Sequence, residues 1–309
     1  MAEIIVQPFL ISYNGKDANQ HIIHAQQLGE SIIGAAKLYT AVAHYCTFGT
    51  IPRGNYKKEF YCYAKPPSEG SFEYQLLVGA IAHEWALHGE IYKEGLSFLF
   101  SHIVNAIKKI WLKPAESTQV AIELAETLRE FGRGNNAVTM VLANGLVQSN
   151  VTFARLQERL ILKLPDVADS TRSHGRSLVR PVGDTCSSLT QFAHTKQEIT
   201  ISEPEADVIR GGTDMEIDDM QEFRCKRITE VNVESGHCIL DVEGFNALVT
   251  GKISDPALET PNNIYTRSLN GHTPFIISAK PVKRNGIVQK LHISDAREIS
   301  EPSSLTKVS

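Results

Sequence analysis

Hydrophobic and polar positions change their period several times along the first 115 residues. Ile4–Tyr13 is rich in β-branched and aromatic residues, which predicts a strand. Apolar residues then recur at steps of four and three, a spacing that places them on one face of a helix over about residues 20–48. Two more strands and a second helical stretch follow, at 59–65, 72–77 and 78–112. The pattern predicts an α+β N-terminal domain over residues 1–115.

Residues 116–165 are predicted to form a helical arm. An amphipathic helix covers 116–131, and a longer apolar stripe covers 135–164 before Pro165 ends it. Thirty residues at a rise of 1.5 Å per residue give about 45 Å, which is longer than one small domain needs. The arm therefore has two interpretations, packing along its own domain or self-association. The polar residues 166–197 that follow are predicted to be a connector.

Helical periodicity stops near residue 198, and short alternating segments replace it. Five segments predict strands: Phe223–Val233, Cys238–Glu243, Ala247–Ile253, Phe275–Val282 and Val288–Ser294. Turn residues separate them, and Asn285-Gly286 is a strong hairpin signal. Five strands in about 75 residues predict a small β-barrel or sandwich of the oligonucleotide-binding or SH3-like kind over 198–299. Residues 300–309 are polar and are expected to form a flexible tail.

Composition fits a globular protein and narrows its class. The 309 residues are 42% hydrophobic and 21% charged, too apolar for a disordered chain and too interrupted by charge for a membrane bundle. The longest charge-free run of the most apolar region, Gly95–Ile107, has 13 residues, fewer than the roughly 18–20 that span a bilayer. The five cysteines form no C-x-x-C pair, and no signal peptide is recognisable. We therefore expect a reduced, cytoplasmic protein without a metal or cofactor.

The net charge of −4 hides an uneven distribution. Residues 198–309 carry 12 basic and 18 acidic side chains, so the preceding part of the chain is slightly basic. Eight of the acids lie within 203–222, where Arg210 is the only basic residue. Such a segment is either a solvated entry to the β-domain or a contact for a basic surface. The sequence pI near 6.3 argues against a generally basic nucleic-acid coat and leaves a local basic patch open.

Several short motifs occur in an order that resembles an uncharacterised family of bacterial proteins. They are Tyr13-Asn14-Gly15, Gln27–Gly34, Ala64–Ser71, Ile253–Leu258 and Leu291–Arg297. The resemblance covers most of the chain and implies a two-domain bacterial protein with a β-rich second domain. It also implies a place among mobile-element or antiphage-defence genes. The family brings no catalytic residues to this sequence.

The predicted connector contains three arginines at intervals of four residues. Arg172, Arg176 and Arg180 are accompanied by hydroxyl side chains and by His174, a pattern with the chemistry to grip phosphate groups. A solvated linker, or one that pairs with the acidic segment, is the other interpretation. The pattern makes a nucleic-acid-binding or phosphate-ligand-binding protein one alternative function.

The long connection 255–273 inside the β-domain is a second candidate. It contains Tyr265, Arg267 and His272, and long loops on small barrels often bind ligands. Tyr265 and Arg267 have the chemistry to stack on a ligand or to hydrogen-bond it. Ordinary turn chemistry around the two prolines of this connection explains the same residues.

Histidines of the N-terminal domain are a third candidate. His83 and His88 are five residues apart, whereas two helical zinc ligands need a spacing of four, so this pair cannot share a metal in that way. Glu84 and His88 do have a spacing of four, and His44 is a further candidate neighbour. An enzyme with a His/Glu site is therefore a second alternative. The chain has no phosphate-binding loop and no nucleophile motif.

These observations together predict a non-enzymatic interaction or assembly protein. The helical arm is expected to form a homo-oligomer, and the β-domain is expected to recognise a protein partner. The resemblance adds the expectation that the protein is a component of a bacterial antiphage defence system. Nucleic acid is a partner that the net charge does not favour, and no transmembrane segment is expected.

Overall fold

The computed structural model describes residues 4–48, 50, 60–65, 73–81, 89–134, 153–212 and 214–299. These residues divide into two compact units, one within Met1–Thr213 and the other within Asp214–Ser309. The first unit is mixed α and β, and the second is built on β-strands. The predicted α+β fold class is confirmed.

The first unit contains five strands and five helices among its described residues. The strands are β1 (Ile4–Asn14), β2 (Phe60–Ala64), β3 (Glu73–Ile81), β4 (Ser188–Gln191) and β5 (Ile199–Ser202). The helices are α1 (Ala25–Phe48), α2 (Gly89–Leu112), α3 (Ser117–Gly134), α4 (Phe153–Leu178) and α5 (Glu203–Gly211). Short 3-10 turns at Lys16–Gln20 and Pro114–Glu116 complete it.

The five strands form one antiparallel sheet in the order β2-β3-β1-β4-β5. Side chains of a strand alternate between the two faces, and Phe9 and Ile11 of β1 are buried on the same face. Phe9 stacks on Phe100 of α2 with ring centroids 4.6 Å apart and meets Tyr39 of α1 edge-on at 5.4 Å. The core of the first unit therefore lies between this face and the helices.

Two boundaries predicted for the helices are wrong. The helical pattern assigned to residues 78–112 begins with strand, because residues 78–81 pair with residues 4–7 of β1, and α2 starts at Gly89. Pro165 does not end its helix, since α4 continues from Phe153 to Leu178. A proline inside a helix removes one backbone hydrogen bond. Here the burial of Leu164 and Val167 on either side of it outweighs that loss.

The prediction that residues 166–197 form a polar connector is also wrong, because these residues contain helix and strand. Its first part is the C-terminal half of α4, which packs against α1, α2 and α3, and its last part contains β4. Strand β5 and helix α5, which the sequence assigned to the β-domain, belong to the first unit through the pairing of β5 with β4. The C-terminal half of α4 has an exposed polar face and a buried face, and its many polar residues led to the prediction of a connector.

The second unit is a closed barrel of five strands. They are β7 (Gln221–Val231), β8 (His237–Val242), β9 (Val249–Ile253), β10 (Phe275–Arg284) and β11 (Ile287–Glu298), and a short strand β6 (Met215–Ile217) adds to β10. The order is β7-β8-β9-β11-β10, and β10 closes the barrel by pairing with β7. Only the β9–β11 pair is parallel among these pairings. Five strands at the predicted places, closed into a barrel, confirm the barrel and exclude the sandwich.

The connection between β9 and β10 folds back onto the barrel. It contains a 3-10 turn, Pro256–Glu259, and helix α6, Ile264–Gly271, where the sequence predicted a long loop. Asn263 caps this helix, because its side chain accepts a hydrogen bond from the backbone N–H of Thr266 at 2.9 Å. One helix therefore lies between the third and fourth strands of the closed barrel.

No helix in the described part of the chain is long and apolar enough to cross a membrane.

Candidate binding cleft in the C-terminal unit

Arg172 lies inside the first unit. It is 5% exposed, and its guanidinium donates hydrogen bonds to the backbone carbonyls of Trp111, at 3.0 Å, and Gly212. Trp111 lies in the last turn of α2, where helices leave C=O groups without a helical partner, and Gly212 directly follows α5. Arg172 therefore joins three helices through hydrogen bonds to their carbonyls.

The other candidates are Arg176 and the half-buried His174 on α4, and Arg180 just after that helix. Arg176 and Arg180 are exposed, and Arg180 pairs with Glu30 of α1 at 3.3 Å, while the His174 ring lies 3.4 Å from the hydroxyl of Ser173. The structure separates Arg172 from these side chains and does not bring the three arginines together. Phosphate binding at Arg176 and Arg180 stays a prediction.

The acidic segment 203–222 is held by ion pairs in both units. In the first unit these are Lys16–Glu203 at 3.3 Å, Lys108–Glu205 at 2.8 Å and Asp207–Arg210 at 2.6 Å. In the second unit they are Asp214–Arg284 at 3.1 Å, Asp218–Lys283, and Glu222–Arg297 at 2.9 Å. Six of its eight acids therefore have basic partners, none of which is an arginine of the predicted connector.

Tyr265 is a core residue of the barrel. Its side chain is fully buried, its ring meets Phe275 edge-on, and its hydroxyl donates to Oδ2 of Asp255 at 2.6 Å. Burial, followed by the hydrogen bond and the charge of Asp255, raises the pKa of Tyr265 well above its ordinary value. The second carboxylate oxygen of Asp255 accepts the backbone N–H of Ala257 at 2.8 Å. Tyr265 thus anchors α6 to the 3-10 turn and is closed to ligands.

Arg267 and His272 have different positions on the same connection. His272 is exposed at the end of α6, in a left-handed conformation with φ of 51° that ends the helix. Arg267 is on the exposed side of α6 and lines an open cleft of about 810 Å³. Of the three residues predicted in this connection, the structure places only Arg267 in the lining of that cleft.

The cleft lies where α6 meets the ends of three strands. Arg267 of α6, Arg224 of β7 and Glu298 of β11 supply its charges. Ile264 and Ile299, both half-buried, supply apolar surface, whereas Phe275 is only 1% exposed. The remaining lining residues are Asn262, Asn270, Gly271, Thr273 and Pro274. A volume of this size falls within the range of roughly 300–1,000 Å³ typical of ligand pockets.

Both arginines of the cleft have exposed carboxylate partners. Arg267 lies 2.7 Å from Glu298, with side chains that are 46% and 70% exposed. Arg224 lies 3.4 Å from Glu243, at 57% and 58% exposure. An exposed ion pair is worth at most about 1 kcal/mol, because water competes for both charges. The two guanidinium groups are therefore held in place weakly and remain open to another anion.

Polar groups without intramolecular partners line the same cleft. Within the part of the chain that the structure describes, no hydrogen bond joins the side-chain amides of Asn262 and Asn270 to the protein. Each amide has donors and an acceptor to offer a ligand. Asn270 and Arg224 were not among the residues that the sequence pattern indicated. The outward position of Arg224 was readable from the alternation of β7, but its closeness to α6 depends on barrel closure.

Two further kinds of chemistry concern the described residues, the reactivity of cysteine thiols and metal binding by His, Cys, Asp and Glu side chains. Burial raises the pKa of the thiols of Cys186, Cys225 and Cys238 to about 12, which keeps them protonated and unreactive near neutral pH. Among the residues that the structure describes, no group of three or more His, Cys, Asp or Glu side chains is placed to hold a metal ion. His83, Glu84 and His88 lie outside those residues, so the enzyme alternative stays a prediction.

The motifs that carried the resemblance have structural roles where they are described. Gly15 has φ of 82°, and a Cβ there would lie 2.7 Å from that of Ser187. Tyr13 donates to the hydroxyl of Ser31 at 2.9 Å, and Ser31 donates to the carbonyl of Leu178. Asp255, in the motif Ile253–Leu258, accepts the hydrogen bond that holds Tyr265. These residues therefore have roles in the fold.

Comparisons with known proteins return two families without an assigned activity. Residues 9–210 match the model described as Domain of unknown function (DUF7946), and residues 219–297 match the model described as Family of unknown function (DUF7947). No curated protein and no solved structure gives a significant match to the chain. The boundary between the two matched segments falls at the boundary between the two structural units.

Proposed function

The chain belongs to the family of the domain of unknown function DUF7946, and we propose that it is a non-catalytic interaction protein whose barrel binds a partner segment in the cleft beside α6. The observation that carries the proposal is the cleft itself. It combines apolar surface, two weakly held arginines and side-chain amides with free hydrogen-bonding capacity. Apolar surface with a few polar groups is the usual composition of a site that binds by contact.

The helical arm enters this proposal as the self-associating part. The described portions of the arm are α3 and the first part of α4, residues 153–165, and α3 and Leu164 of α4 bury apolar side chains within their own unit. Residues 135–152 of the predicted apolar stripe lie outside the described residues. Self-association through the arm therefore rests on the sequence pattern, and a role in bacterial antiphage defence rests on the resemblance.

Site-specific photo-crosslinking in native host cells tests the binding function. A photoreactive residue replaces Asn270, which lines the cleft, or Gln289, an exposed residue at the opposite end of β11. We expect a defined protein adduct from position 270 and none from position 289. We also expect the adduct to disappear when Arg267→Glu is added, because this change reverses the charge of the cleft wall.

Two results would contradict the proposal. One is the same adduct from both positions, which would show contact that does not depend on the cleft. The other is an adduct from position 270 that persists in the Arg267→Glu variant. Circular dichroism of each variant serves as the control for folding.

A further inference from the structure

We infer that the cleft beside α6 selects an acidic peptide segment, whose carboxylate takes the place of Glu298 on Arg267. This inference rests on the proposed function and adds the chemical class of the partner. Arg267 and Glu298 form the closest ion pair of the cleft, at 2.7 Å. In the absence of a ligand, the carboxylate of Glu298 thus occupies the position on Arg267 that the ligand's carboxylate would take.

The exchange of Glu298 for a ligand carboxylate costs little. The Glu298 side chain is 70% exposed in the pair, so it is already mostly hydrated and loses little when it swings away. Arg267 keeps an anionic partner throughout, and its guanidinium can bind a carboxylate through two parallel hydrogen bonds. Arg224 supplies a second cation whose own partner, Glu243, is also exposed.

The rest of the cleft favours a peptide over a free anion. Ile264 and Ile299, both half-buried, offer apolar contacts in the cleft. The amides of Asn262 and Asn270 offer the hydrogen bonds that a peptide backbone requires. A volume of about 810 Å³ is much larger than a single phosphate or carboxylate group fills. The second unit has fewer basic than acidic residues, 10 against 13 over residues 214–299. This balance disfavours a polyanion such as nucleic acid.

Peptide display against the full-length protein, followed by affinity measurement, tests the inference. A library of random seven-residue peptides is panned, and the selected peptides are measured by fluorescence anisotropy at low salt. We expect enrichment of Asp or Glu next to apolar residues. Arg267→Gln should weaken binding by about tenfold or more, because a charged hydrogen-bonding group is lost.

The variant Glu298→Gln gives the distinguishing result. It removes the internal competitor, so it should tighten binding about two- to fivefold, the range that an exposed ion pair is worth. Glu222→Gln is the matched control, because it makes the same charge change and breaks the similarly exposed pair with Arg297, outside the cleft lining. The control should leave affinity unchanged.

The outcomes separate the two proposals. One outcome is that the selected peptides are neutral, crosslink at position 270 and bind the Glu298→Gln variant with unchanged affinity. It would overturn the acidic-peptide inference and support the binding function. Selected peptides that never contact position 270 would overturn both. A single-stranded oligonucleotide that binds more tightly than every selected peptide, and depends on Arg267, would overturn the peptide in favour of a phosphate ligand.

Discussion

At the scale of single residues, burial decides which polar side chains are free to bind. Arg172 and Tyr265 have the chemistry of ligand-binding residues, but their guanidinium and hydroxyl groups bond to the protein itself. Arg267 has comparable chemistry and remains at the surface. The sequence identified all three and could not rank them, because burial depends on packing between residues far apart in the chain. It correctly singled out the connection that lines the cleft.

The hydrogen bond between Tyr265 and Asp255 should contribute measurably to stability. Tyr265→Phe keeps the buried ring and removes the hydroxyl, so we expect the free energy of unfolding to fall by about 1–2 kcal/mol. Urea denaturation followed by circular dichroism measures the change. Tyr63→Phe is the control, because Tyr63 is 51% exposed and its hydroxyl should cost nothing to remove. Equal losses in the two variants would contradict this role for Tyr265.

At the scale of elements, periodicity located strands and helices well and their ends poorly. The strands of the barrel were readable because β8, β9 and most of β10 alternate between more and less buried residues. Helix α4 was cut at Pro165 because a single-sequence pattern weighs a proline heavily and contains no information on partners. Helix α6 was missed because eight residues are too few for a clear helical period.

The crossing of α1 and α4 depends on a glycine. A Cβ at Gly34 would meet the backbone of His174 and Leu178, and backbone atoms cannot move aside as a flexible side chain can. We expect Gly34→Ala to lower the free energy of unfolding by about 1–3 kcal/mol. Gly29, on the same helix, has open space around it, so Gly29→Ala should raise stability by about 0.5–1 kcal/mol through helix propensity.

Thermal unfolding of the two alanine variants decides this point. The opposite signs are the diagnostic feature, since a general effect of alanine in α1 would shift both midpoints in the same direction. A stabilising Gly34→Ala change would show that the helices are less closely packed than the structure indicates.

At the scale of the whole molecule, the two-part organisation was predictable and its boundary was not. The change from helical to alternating periodicity marks the second unit, but β5 and α5 lie beyond that change and complete the first unit. The near-neutral charge conceals the same arrangement. Acids of the segment 203–222 pair with bases of the first unit before the boundary and with bases of the barrel after it. The fold determines which charges pair, so the pairing cannot be predicted from the net charge.

The barrel should fold as an independent unit and the first unit should carry self-association. The second unit has its own closed sheet and its own buried core, so a fragment of residues 214–309 should unfold cooperatively and bind the selected acidic peptides with the affinity of the full chain. In light scattering at micromolar concentration, we expect a monomeric fragment and a full-length chain larger than a monomer. A monomeric full-length chain would remove the assembly part of the proposed function. An unfolded fragment would contradict independent folding of the barrel, which is expected because its own strands close the sheet.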